Sequence, residues 1–223
     1  MPELVLTGPA NSTFVCAARL ALDEKGVAYR FEQPEVIKSG GFRLADMVHY
    51  FVSQQPRLAH GDFTLFEVES ILSYVDAGFD GPALQPESAK SCALMIEIIS
   101  VIRDHLHPLA IGQVVAQRLF VPFLGGACDY SAVADALPAL GDALLVVEQL
   151  SLSAHDGEKS ELLVGAGLSL ADIALMPIVA YLLMTDEGRQ AFAKSKRLAR
   201  WWLSVSRRPS LARAWPRLDG SIR

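Results

Sequence analysis

One continuous stretch, Gln54 to Val75, constrains what this chain can build more than any other part of it. Gln54-Gln55-Pro56 opens the stretch, Arg57-Leu58-Ala59 follows as a short strand-like run, and His60-Gly61-Asp62 forms a turn. Phe63 and Leu65 then alternate with Thr64 and Phe66, the pattern of a hairpin partner. From Glu67 the period becomes helical, with Ile71, Leu72 and Val75 on one face and Glu69 and Ser73 off it. A proline-led hairpin running straight into a helix places a carboxylate beside N–H groups that lack intrahelical partners.

The residues before this stretch read as strand, helix, strand. Leu4-Val5-Leu6-Thr7 is strand-like, and Gly8-Pro9-Ala10-Asn11 is a loop. A helix then runs from Ser12-Thr13 to Lys25, with Ser12 at the N-cap and Gly26 as the terminating glycine. Val27, Tyr29 and Phe31 alternate with Ala28 and Arg30 and predict a second strand. With the hairpin and its helix, this order predicts a small α/β layer.

Gly78-Phe79-Asp80-Gly81-Pro82-Ala83-Leu84-Gln85 is turn-rich and marks the domain boundary. Everything beyond it reads as helix. An amphipathic run through Ala93, Leu94, Ile98, Val101, Ile102 and Leu106 is expected to break at Pro108. A further segment spans Gln113 to Phe120, and another spans Tyr130 to Leu152 with Pro138 as a kink or late start. Ser169 and Asp172 stand at capping-box spacing before an apolar helix.

Half of the 223 residues are apolar, so the chain is globular, and its net charge of -5 argues against a nucleic-acid platform. Basic residues gather from Arg189 onward, which reads as a solvated and partly helix-capping face, the alternative being a subunit or anion-binding surface. Met1 to Leu6 runs directly into a strand, and no stretch approaches ~18 uncharged apolar residues, so neither a secretory signal nor a membrane partner is expected. Cys16, Cys92 and Cys128 share no metal or redox spacing, His105 and His107 have no ligand set around them, and no metal site is expected. Cys16 is expected to be a packed small residue. A reduced, cytoplasmic protein is the expectation.

Pro56 to Tyr74 resembles the cis-proline pattern of the glutathione transferases, P-x-L-x-x-G-D-x-x-L-x-E-S-x-x-I-L-x-Y, with Val68 in place of its serine. Ser12 to Gly26 resembles the S-T-x-x-R-x-x-x-x-A-L-x-E-K-G run of serine-type members, with Cys16 in place of its arginine. Gly167 to Asp172 resembles the family's capping motif in the helical domain, and Lys196 to Trp202 with Arg207 to Leu211 its closing helix. The chain is identified as resembling phi/theta-like bacterial members. The fold this implies is an α/β N-terminal thioredoxin-like domain (1–78), a linker (79–85) and an all-α C-terminal domain (86–223).

The resemblance further implies a glutathione S-transferase-like enzyme, with glutathione as co-substrate and no metal. Pro56 is expected to be cis, and Ser12 to donate a hydrogen bond to the glutathione sulfur, with Thr13 in reserve. Gln54, Gln55, Pro56, Glu67 and Val68 are expected to hold the rest of glutathione. Lys38, Arg43 and Gln54 are alternatives for the glycine carboxylate. A hydrophobic electrophile would lie along Ile102, His105, Leu106, Leu109, Phe120 and Phe123, chosen by position and hydrophobicity. A homodimer is expected, with Tyr50 and Phe51 in the pairing segment. The alternative is a transferase-fold binding or regulatory protein with weak or lost glutathione chemistry. Val68 favours it, because losing one hydrogen bond to a charged group costs about 1.5–3 kcal/mol.

Overall fold

The structure is a computed structural model that describes residues 2–33, 55–155 and 160–215. It forms two compact units, one comprising Met1–Pro82 with Pro209–Arg223 and the other Ala83–Arg208.

The first unit holds a four-stranded sheet. Its strands β1 (Leu4–Thr7), β2 (Arg30–Glu32), β3 (Arg57–His60) and β4 (Phe63–Leu65) lie in the order β2-β1-β3-β4. β1 is parallel to β2 and antiparallel to β3, which is antiparallel to β4. The second strand begins later than the alternation of Val27, Tyr29 and Phe31 predicts, because pairing with Val5 to Thr7 starts only at Arg30.

Helix α1 (Thr13–Lys25) begins and ends where its caps predict. The Ser12 hydroxyl accepts from the Val15 N–H at 3.4 Å, and Gly26 takes φ 70°, a left-handed conformation that glycine adopts without a Cβ penalty. Val15, Cys16, Ala18, Leu20, Ala21 and Leu22 are fully buried. Cys16 is thus a packed residue, and burial pushes its thiol up to about 12. Helix α2 (Val68–Gly78) packs beside α1, and the Lys25 ammonium meets Asp76 at 3.2 Å between them.

The second unit starts with α3 (Ala89–Val101), and here the expectation of a break at Pro108 is corrected. The chain stays helical through Phe123 by widening into π-helical turns over Ile102–Leu106 and Ala110–Phe120. Each wide stretch leads into a short α-helical turn with a proline as its second residue, His107–Leu109 and Val121–Phe123. A proline has no N–H to donate and its ring crowds the carbonyl four residues back, and a locally wider helix accommodates both.

Helix α4 (Tyr130–Ser153) runs unbroken through Pro138 and buries Val133, Ala136, Leu140, Leu144 and Val147 at helical spacing. By length and composition it is apolar enough to cross a membrane. The buried stripe, with Asp135, Asp142 and Glu148 along the same helix, is the pattern of a core helix in a helical unit. Helices α5 (Leu170–Leu182), α6 (Asp186–Phe192) and α7 (Lys196–Val205) complete the unit, while α8 (Pro209–Ala214) packs on α1 in the first.

His107 gives the second unit a pH dependence. Burial pushes its imidazole down to about 4, so the unfolded chain binds the proton more readily than the native one between that value and about 6.5. The stabilisation is therefore full above pH 6.5 and is lost on acidification, by about 2 kcal/mol at pH 5. Urea midpoints at pH 7.5 and pH 5 should differ more for the wild type than for His107→Gln. Equal shifts in the two proteins would show that another group governs the acid limb.

Candidate active site

The sheet register gathers three separated segments at one end. Thr7, the last residue of β1, pairs with Arg57, the first of β3, and also with Glu32, the last of β2. Leu65, the last residue of β4, pairs with Leu58. The loop leading to Ser12, the Gln55–Pro56 step and the start of α2 at Glu67 and Val68 therefore share that end of the sheet.

Ser12 is half-buried and sits in extended backbone, φ -77° and ψ 129°, as N-cap of α1. Its oxygen accepts the Val15 N–H, which leaves the hydroxyl proton able to donate to a ligand. Capping and donation are compatible roles for one hydroxyl. The positive end of the α1 dipole lies at the same point, so a thiolate there would be favoured over a thiol. Thr13, the reserve candidate, is buried at 5% exposure, so Ser12 offers the accessible hydroxyl of the pair.

The Gln55–Pro56 peptide bond is cis, as the resemblance implies. Pro56 is buried and Gln55 half-buried. The Gln55 side-chain oxygen lies 3.6 Å from where a Cβ on Gly8 would stand, so the loop after β1 and the segment before β3 are near neighbours.

Glu67 carries an unexpected feature. It adopts φ 63° and ψ 122°, the one positive φ at a non-glycine residue among the described residues. Such a conformation costs about 1–3 kcal/mol and tends to persist where surrounding structure imposes it at a functional site. The Glu67 carbonyl accepts the Ile71 N–H, and its exposed carboxylate makes no capping bond. Val68 is half-buried in the first turn of α2. Arg57 was not singled out by sequence pattern, yet it is exposed at this end of the sheet and its guanidinium donates to Thr7 Oγ1 at 3.5 Å. Its position directly after Pro56 is the signal that marks it.

Gln54, Lys38, Arg43, Tyr50 and Phe51 lie outside the described residues. In the second unit, Ile102 and Leu106 are core residues at 3% and 0% exposure. Leu109 and Phe120 are half-buried, and Phe120 makes an edge contact with Tyr181 at 5.4 Å between ring centroids. His105 and Phe123 are exposed. Among the described residues, no group of three or more His, Cys, Asp or Glu side chains is placed to hold a metal ion.

The model of the glutathione S-transferase C-terminal domain matches residues 109–209. Glutathione S-transferase 4 of Zea mays is 29% identical over 211 residues, spanning 94% of this chain and 90% of the maize protein. Glutathione S-transferase F10 of Arabidopsis thaliana is 25% identical over 194 residues, or 86% of each chain. Among solved structures, glutathione S-transferase III in its apo form superposes with a TM-score of 0.78 at 26% identity, covering 95% of both chains. Glutathione S-transferase I from mais, in complex with an atrazine–glutathione conjugate, superposes with a TM-score of 0.77 at 25% identity over 96% of both.

Proposed function

We propose that this chain is a glutathione S-transferase that activates glutathione at Ser12 for attack on a hydrophobic electrophile, a reading supported by the match over residues 109–209 and by relatives up to 29% identical along most of the chain. The observation that carries the reading is the convergence of Ser12, the cis Gln55–Pro56 step and the strained Glu67 at one end of the sheet.

In this reading, the Ser12 hydroxyl donates to the glutathione sulfur and, with the N-terminus of α1, favours loss of the thiol proton. The thiol proton passes to solvent and the thiolate forms a carbon–sulfur bond to the electrophile, breaking either the bond to a leaving group, which departs with its electron pair, or a π bond, whose electron pair takes up a proton from solvent. Glu67 pairs with the glutathione ammonium, Val68 offers only its backbone N–H to the γ-glutamyl carboxylate, and Gln54, Gln55 and Pro56 line the cysteinyl part. The first domain (1–78) takes glutathione and the helical domain, expected from 86 to 223 but without Pro209–Arg223, which fold with the first unit, takes the electrophile. Leu109, Phe120 and Phe123 serve it better than the core residues Ile102 and Leu106.

The relatives named above are plant proteins, so the phi type is the finer assignment they support, while a bacterial subtype draws no support from them. A cytoplasmic homodimer that uses no metal completes the proposal. Calorimetric titration with glutathione tests it. We expect saturable binding at a molecular mass of twice 24.2 kDa by light scattering. Val68→Ser should tighten glutathione about tenfold by restoring a hydroxyl to the carboxylate. No heat of binding from the wild type would favour a regulatory protein on this fold.

A further inference from the structure

At the opposite end of the same sheet, where Leu4 pairs with His60, the first unit has a cleft of about 600 Å³. That volume falls within the range of small-molecule sites. Three rings, Tyr29, His60 and Phe79, stand around it, and Leu4 and Val27 contribute apolar surface. The rings are held in place. His60 Nδ1 is 2.7 Å from the Tyr74 hydroxyl, and the His60 and Phe79 ring centroids are 5.5 Å apart at a 34° tilt. Tyr74 in turn meets Phe79 edge-on at 5.8 Å. Gly81 fixes the segment that carries Phe79 and Asp80, since at φ 129° a Cβ there would lie 2.5 Å from the Lys25 carbonyl oxygen.

The charges around the cleft choose the ligand's sign. Arg30 is the cation of the lining, and its guanidinium is already engaged, by Glu3 through Nε at 2.8 Å and Nη2 at 3.3 Å and by Glu32 through Nη1. Arg30 holds the Glu3 carboxyl below its ordinary range, so Glu3 remains ionised. Asp80 is exposed in the same lining. Of the residues that line the cleft, one guanidinium stands against two carboxylates, Glu3 and Asp80, which leaves the rim acidic, and aromatic faces attract cations.

We propose that this cleft is a second binding site, independent of the Ser12 end, and that it takes a planar aromatic cation stacked against Tyr29, His60 and Phe79 beside Asp80. The site requires no glutathione and stands whether or not the reading of the Ser12 end holds.

Proflavine, a fluorescent aromatic cation, is the probe, titrated into the full-length protein. Binding should saturate at one site per chain and be unchanged by millimolar glutathione. Phe79→Ala should weaken it about tenfold through the lost ring face. Asp80→Asn, an exposed change that leaves the core intact, should weaken it about threefold. Anilinonaphthalene sulfonate, an aromatic anion, should not displace proflavine. Proflavine binding that survives both substitutions unchanged, or that yields to glutathione or to the anion, would overturn the assignment.

Discussion

Ser12→Ala should lower turnover at saturating glutathione by about a hundredfold while changing glutathione affinity by no more than about threefold. The thiolate is the nucleophile, and an unperturbed thiol with pKa of roughly 8.5 is mostly protonated at neutral pH. Alanine removes the side-chain hydroxyl donor at the cap of α1, while the helix dipole remains. It also removes the cap on the Val15 N–H, at a cost of about 1 kcal/mol of stability, too little to unfold the chain. Glu67→Ala should produce the opposite pattern, with weaker glutathione binding and near-normal turnover at saturation, because in the proposed arrangement its carboxylate pairs with the ammonium and not with the sulfur. Steady-state kinetics of both variants with one general electrophile separates these effects. If Ser12→Ala turns over like the wild type, the serine is only a helix cap.

The largest expected loss of stability belongs to Asp172→Ala. Asp172 is fully buried, and its carboxylate accepts from the Leu163 N–H at 2.8 Å, the Ser169 N–H at 2.7 Å, the Ser169 hydroxyl at 2.6 Å and Trp201 Nε1 at 2.7 Å. Burial pushes the carboxyl upward while these four donors oppose it by stabilising the charge. Alanine would leave buried donors on three different segments without partners, each at about 1–3 kcal/mol. A total near 4 kcal/mol is expected, against native stabilities of about 5–15 kcal/mol. Arg197 braces the same region by donating to the Ser160 and Leu162 carbonyls at 2.8 Å each, so the 160–163 segment should loosen with it. Denaturant unfolding of Asp172→Ala beside Ser169→Ala measures this. The serine variant, which loses one hydroxyl and its capping bond, should lose only about 1–2 kcal/mol. Equal losses in the two would mean that the Leu163 and Trp201 bonds contribute nothing.

What the sequence by itself determined lies within a few residues along the chain. Ser12 and Gly26 bound α1, Gly61 turns the hairpin, and Ser169 with Asp172 closes the capping box, because each interaction spans at most one helical turn or one tight turn. The family motifs carried the cis Gln55–Pro56 step in the same local way. Tertiary structure decided the rest. Pairing Thr7 with both Glu32 and Arg57 is what brings Ser12, Pro56 and Glu67 to one end of the sheet, and no periodicity encodes that register. Pro108 reads locally as a helix break, yet the chain widens past it, since Ile102, Leu106, Val114 and Val115 are buried only if the segment stays helical. Asp172 reads as a cap, and only packing adds Leu163 and Trp201, nine residues back and 29 residues on, as further donors. The positive φ of Glu67 likewise has no local cause, because an isolated glutamate avoids that region and only its surroundings can hold it there.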